Sequence, residues 1–165
     1  MRVLPLLFGF LLAIPAFAQT HTFASGLALT LPEDWTGDEA VDESQLPRSA
    51  SYRFENTNAE SRLRGTVLHI ERLTGLNPVM QERFSQGRVP FGYHGARPVA
   101  ALGSVPYTGA VGFQTEQPGR TGVVYFVTQG SVYWTVQIEA PAAVFAAQQE
   151  ALLDLARTVR FPTGS

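Results

Sequence analysis

Imidazole is the side chain most suited to metal binding and to proton transfer near neutral pH, and the chain has three, His21, His69 and His94. They lie far apart, with no His-x-His or His-Glu-x-x-His pair to set two ligands on one face of a strand or helix. His69 has Glu71 two residues on, so in a strand both share a face. That pair reads as a strand histidine bonded to a neighbour in preference to a ligand pair. Serine hydrolysis has no local signature: Ser25, Ser85 and Ser104 each lie close to a glycine, none inside Gly-x-Ser-x-Gly. A triad is assembled by geometry, so the histidines and the many acids leave that chemistry open. Asp38, Glu39, Asp42 and Glu43 offer the oxygens Ca2+ takes, without the EF-hand spacing or its central glycine. No GxGxxG or Walker pattern cradles a phosphate, and no sequence pattern points to the paired carboxylates of a glycosidase.

One stretch gathers recognition chemistry. "RVPFGYHGAR", residues 88–97, sets Phe91, Tyr93 and His94 between Arg88 and Arg97. Aromatic and arginine side chains are the ones binding surfaces favour. The plainer reading is a long crossover loop that tucks its aromatics back over the fold. If the chain binds through a defined surface, Arg88, Phe91, Tyr93, His94 and Arg97 are the candidate residues.

Composition narrows the rest. The 165 residues contain no cysteine, which excludes thiolate zinc sites, iron–sulfur clusters, a cysteine nucleophile and a lipoprotein anchor. Every one of the 12 cations is arginine, so lysine Schiff-base and P-loop chemistry is absent. The formal charge of −2 and the lack of a basic tract give no footprint for nucleic acid. No cofactor and no metal is expected. At the start, Arg2 precedes an apolar run from Val3 to Ile14, followed by Ala16-Phe17-Ala18. That is the order of a secretory signal peptide, residues 1–18, cut after Ala18. The run is shorter than the about 20 apolar residues of a membrane span, so no integral anchor is expected after cleavage. Residues 19–165 then form one domain, exported to the periplasm or beyond.

The elements that must position these residues follow from periodicity. Leu27, Leu29 and Leu31 alternate within a first strand, Thr22 to Leu31, which Pro32 ends. Residues 33–47 carry six acids and read as a solvated loop. Trp35 packs at the rim of the core, while Glu33 and Asp34 turn to solvent. Ser49 to Glu55 is a strand with Tyr52 and Phe54 on one face. Arg62 to Leu73 is a longer strand, apolar on both faces and therefore central. Asn77-Pro78 opens a short helix ending near Gly87. A short edge strand, Pro98 to Gly103, precedes an antiparallel meander: Tyr107 to Thr115, Thr121 to Thr128 and Ser131 to Glu139. Gln117-Pro118-Gly119-Arg120 forms a type II turn within it. A last helix starts at Pro141, with Phe145, Leu152, Leu155 and Val159 on one face, and stops at Pro162.

The opening strand ending in "LPEDW", the middle helix, the meander and a final helix closing on "RTVRFP" together resemble the PsbP-like superfamily. That group includes the DcrB-like and LpqN-like exported bacterial proteins. The resemblance spans nearly all of residues 19–165 and rests on element order and on two segments, Leu29 to Trp35 and Ala151 to Pro162. It implies an α+β fold: an α/β/α sandwich with a mainly antiparallel sheet of about six to seven strands, a short middle helix and a C-terminal helix packed on the sheet. It also implies an accessory or binding role without a shared active site, so no catalytic residue is carried over. The expected function is a non-catalytic binding or accessory protein of the bacterial envelope, its partner a protein or small ligand. Two alternatives stand beside it: a periplasmic hydrolase with a site assembled across the sheet, and a structural or chaperone-like envelope component. A deep cleft holding His69 or His94 beside a serine or carboxylate favours the hydrolase; a flat, filled surface favours the binding protein.

Overall fold

The computed structural model describes residues 18–42, 49–73, 82, 83, 86, 97, 98, 107, 110–129 and 132–162. The alternating leucines belong to a hairpin, not to one strand. β1 (Ala18–Thr22) pairs antiparallel with β2 (Ala28–Pro32), and the chain reverses between them. Gly26 makes the reversal possible: its φ is +82°, and its amide donates to the Phe23 carbonyl at 2.9 Å. Leu27, Leu29 and Leu31 are buried, as their spacing requires.

The acidic segment is not a loop. Trp35 to Asp42 forms β3 (Trp35–Asp42), paired along its length with β4 (Ser49–Asn56). An edge strand needs only one ladder and tolerates charge, so its sequence loses the apolar alternation that marks a strand. Gly37 is required in it: a Cβ there would stand 2.1 Å from Phe54 Cδ1 and 2.7 Å from the Arg53 carbonyl oxygen.

β5 (Val67–Leu73) begins later than its sequence pattern suggests, because 58–66 form successive turns. β6 (Arg97–Pro98) is a two-residue edge. The meander is present as β7 (Val111–Gln117), β8 (Arg120–Gln129) and β9 (Val132–Pro141). Its first turn holds Gly119 at φ +76°, the sign a type II turn needs at that position. Tyr107, expected in the first meander strand, lies before it and donates its hydroxyl proton to the Ala156 carbonyl at 2.5 Å. Among the described residues the sheet runs β3-β4-β5-β9-β8-β7-β6, seven strands, every pair antiparallel. Of the middle helix, only Glu82, Arg83 and Gln86 lie among the described residues; Glu82 and Arg83 are helical, and the Gln86 amide donates to the Glu82 carbonyl.

Tyr52 and Phe54, Leu68 and Ile70, Trp134, Val136 and Ile138, Val123, Tyr125 and Val127 line one face. We call it the inner face. α1 (Ala142–Thr158) covers part of it with Phe145, Leu152, Leu155 and Ala156, and the hairpin leucines join the same core. Gln148 interrupts the helix with φ −126° and ψ 23°. The helix ends at Thr158 and not at Pro162. The reason is a better use for the backbone: Ala28 donates to the Arg160 carbonyl at 2.9 Å and Arg160 to the Ala28 carbonyl at 2.7 Å. Those bonds need an extended chain. Around them Tyr107, Tyr125, Trp134 and Phe161 stack edge to face or tilted, with centroids 5.2–5.8 Å apart. Burial pushes the Tyr125 phenol up to about 12.

The architecture is thus the expected α+β arrangement of an antiparallel sheet with a C-terminal helix on it. Leu152 stands at its centre, fully buried. Leu152→Ala is expected to cost about 2–5 kcal/mol of unfolding free energy. Asp154→Ala, which removes an exposed ion pair to Arg157 on the same helix, is expected to cost less than about 1 kcal/mol. Urea unfolding of the two variants measures both.

Candidate functional site

Arg88, Phe91, Tyr93 and His94 lie outside the described residues. Arg97 is described by its backbone, which opens β6 opposite Gln114. The other two histidines are placed. His21 packs as an aromatic: its ring lies 5.6 Å from that of Phe54 and stacks on Phe23 at 6.5 Å. Nearby, Phe23 tilts onto Tyr52 at 4.5 Å. Burial raises the Tyr52 phenol above its ordinary value, opposed by Ser25 Oγ, which lies 2.6 Å away and can turn its own proton toward the phenolate.

His69 is on the outer face of β5, where the register brings three strands together. Ser51 stands opposite Glu71, and Thr135 faces Glu71 from β9. Ser51 Oγ is 2.8 Å from His69 Nε2, and Glu71 Oε1 is 3.8 Å from the same nitrogen. Thr135 donates to Glu71 Oε2 at 3.4 Å. The strand was expected to be covered on both faces; instead the His69 and Glu71 side chains are 29% and 40% exposed. Leu63, which suggested a second apolar face, lies in the turns before the strand. The polar array continues outward. Gln137 and Gln117 both donate to Glu139 Oε1, at 2.5 and 3.2 Å, and Arg120 holds the Gly65 and Glu139 carbonyls. On β7 and β8 the same face turns apolar, with Phe113, Val124 and Phe126 buried together.

A serine beside a histidine and an acid is the composition of a hydrolytic triad, but not its geometry. In a triad the carboxylate holds one ring nitrogen and the serine the other, which fixes the tautomer that accepts the serine proton. Here both approach Nε2. Acyl transfer also needs free backbone amides near the nucleophile to receive the oxyanion. Ser51 is mid-strand between β3 and β5, facing Ala40 on one side and Glu71 on the other. Amides in such a strand are used by the ladders.

Of the four acids that offered oxygens for Ca2+, Glu43 and the side chain of Asp42 lie outside the described residues. Asp38 and Glu39 are consecutive in a strand, so they point to opposite faces, and among the described residues no three metal-ligating side chains gather.

A cleft of about 370 Å³ opens instead past the end of β4, between Glu33–Asp34 and the turns that carry Asn58, Ser61 and Arg62. Its organising residue is Asn56, at the head of Asn56-Thr57-Asn58, residue types that by themselves mark only a turn. Asn56 is 1% exposed. Its Nδ2 donates to Asp34 Oδ2 and to Ser61 Oγ, both at 2.9 Å, and its Oδ1 accepts the Asn58 amide at 3.1 Å. Asp34 therefore does not simply turn to solvent; it ties the β2–β3 connection to β4. Trp35 is buried in the main core, as expected. The signal available for Asn56 was the Asn-x-Asn spacing, in which the first side chain caps the amide of the second.

No protein-family model and no curated protein matches the chain. Solved structures do. The cyanobacterial PsbP (CyanoP) from Synechocystis sp. PCC 6803 is similar at 11% identity and a TM-score of 0.49, over 88% of this chain and 93% of that one. A mutant of the protein Mog1 is similar at 11% identity and a TM-score of 0.50, over 87% of this chain and 95% of that one. Both share the PsbP/Mog1-like fold, and at this identity the likeness is one of fold.

Removing the Asn56 side chain leaves the Asp34 carboxylate and the Asn58 amide without their partner. Asn56→Ala is expected to cost about 1–3 kcal/mol of stability, and thermal unfolding beside Asn58→Ala, on the exposed side of the turn, checks it.

Proposed function

We propose that the chain is an exported, non-catalytic binding or accessory protein of the bacterial envelope, allied to the DcrB-like and LpqN-like proteins. The observation that carries the non-catalytic reading is the one at His69: serine and glutamate on the same ring nitrogen, in the middle of a fully laddered sheet. It supplies neither a relay nor an oxyanion site. A PsbP/Mog1-like fold is compatible with an accessory role.

Export is supported by the apolar run and the Ala16-Phe17-Ala18 segment. A cut after Ala18 would keep the ladder from Gln19↔Leu31 to Thr22↔Ala28 whole. No helix among the described residues is long and apolar enough to cross a membrane. Recognition is assigned to Arg88, Phe91, Tyr93, His94 and Arg97, of which Arg97 pairs with Gln114 at the sheet edge. Its partner is a protein or small ligand of the envelope.

The full chain, produced in a Gram-negative host and fractionated, is expected in the periplasm with Gln19 as its first residue by mass spectrometry. A fluorophosphonate probe is expected to leave Ser51 unlabelled. Replacing Phe91, Tyr93 and His94 together by alanine should keep the circular dichroism and lose partner capture. An uncut chain in the cytoplasm overturns export; labelled Ser51 overturns the non-catalytic reading.

A further inference from the structure

β3 is the outermost strand of the sheet, and among the described residues its only ladder is to β4. In an edge strand every second residue aims its amide and carbonyl away from the partner. The eight residues of β3 therefore present a row of about four such positions. The row is open. Residues 36–40 are all exposed, and for Gly37 and Ala40, with almost no side chain, exposure is largely that of the backbone.

Edges that must stay unpaired are normally kept short, bulged, broken by proline, or charged. β3 is protected by charge alone, and acids turn away an acidic strand while attracting a basic one. Its register with β4 is unbroken from Trp35↔Asn56 to Asp42↔Ser49. It contains neither proline nor lysine, and the close approach of Phe54 to Gly37 fixes its inner side. It is a preformed template for one more strand.

Charge decides which strand. Acids stand at 33, 34, 38, 39 and 42, and the segment 33–42 holds no cation. Arg53, opposite Asp38 in the register, is 3.8 Å from Glu55, and Glu39 stands opposite Tyr52. A second copy of this chain laid antiparallel on β3 would set Asp38 against Asp38, Glu39 against Glu39, or Asp38 against Asp42, according to register, and like charges across a ladder repel. An arginine- or lysine-bearing strand is attracted by the same groups.

We propose that β3 is a strand-addition site: an extended, basic segment of a partner protein pairs with its free edge, with cations beside Asp38 and Glu39. The proposal rests on the reading of the chain as a binding protein, and names a second surface of it and the partner chemistry.

The test uses 15N-labelled protein made from the full chain and a blocked seven-residue peptide, Val-Thr-Val-Arg-Arg-Val-Thr, whose adjacent arginines fall on opposite faces as Asp38 and Glu39 do. The amide signals of residues 36–41 are expected to shift and their solvent exchange to slow. A peptide with glutamate for arginine, and the arginine peptide methylated on every backbone nitrogen, are each expected to bind at least about tenfold more weakly. So is the arginine peptide to the double variant Asp38→Arg, Glu39→Arg. Should that variant not fold, the two control peptides on the native protein decide. Binding indifferent to methylation or to charge, shifts centred away from β3, or self-association through β3 each overturn the proposal. Failure here with Ser51 unlabelled removes this site alone; labelled Ser51 removes the non-catalytic reading beneath it.

Discussion

Four adjacent strands of the sheet, β4, β5, β9 and β8, are apolar on their inner face, and that face is wider than one helix can cover. Strands about 4.8 Å apart put the outer two of the four some 15 Å from each other, whereas a helix with its side chains is about 10–12 Å across. The fold meets this by laying two unlike elements side by side. α1 packs on β8 and β9; the hairpin packs on β4, with Phe23 and His21 against Tyr52 and Phe54. The seam between them is closed by backbone. Ala28 and Arg160 exchange two hydrogen bonds, and the Thr30 amide donates to Thr158 Oγ1 at 3.4 Å. The helix must therefore stop at Thr158, so that Arg160 is extended and free to pair.

The outer face is governed by a different balance. On β7 and β8 it is apolar and buried; on β4, β5 and β9 it is a lattice of hydrogen-bonded polar side chains, partly in water. Interlocking of this kind satisfies each group with a neighbour, which is why Ser51, His69 and Glu71 meet without forming catalytic machinery. The two edges differ as well. Among the described residues β6 is two residues long, while β3 is an acidic strand of eight residues, regularly paired and exposed over residues 36–40.

The meander and the last helix were legible because they bury one face each. Trp134, Val136 and Ile138 alternate, and Phe145, Leu152 and Leu155 recur at helical spacing, so period alone names their elements. The hairpin was half legible: the leucine alternation was seen, but the reversal before it depends on one positive φ at Gly26, which periodicity does not register. β3 was misread for a physical reason. A strand held by a single ladder with its side chains in solvent has the composition of a loop, and its marker, the lack of a Cβ at Gly37, has meaning only once Phe54 is seen over it. The Ser51–His69–Glu71 contact could not be read from the chain, because it depends on the register of β4 against β5. The bond from Asn56 to Asp34 spans 22 residues and needs the same kind of register knowledge.

The claim on which all of this turns is that hairpin and helix form one cover, locked at Ala28 and Arg160. Native-state amide hydrogen exchange measures it directly, residue by residue. The account predicts that the amides of Ala28 and Arg160 exchange only with global unfolding, at the same free energy as those of Val136 and Ile138 in β9. Exchange of Ala28 and Arg160 at a markedly lower free energy, while β9 stays protected, would mean that the hairpin opens by itself, and would contradict the account.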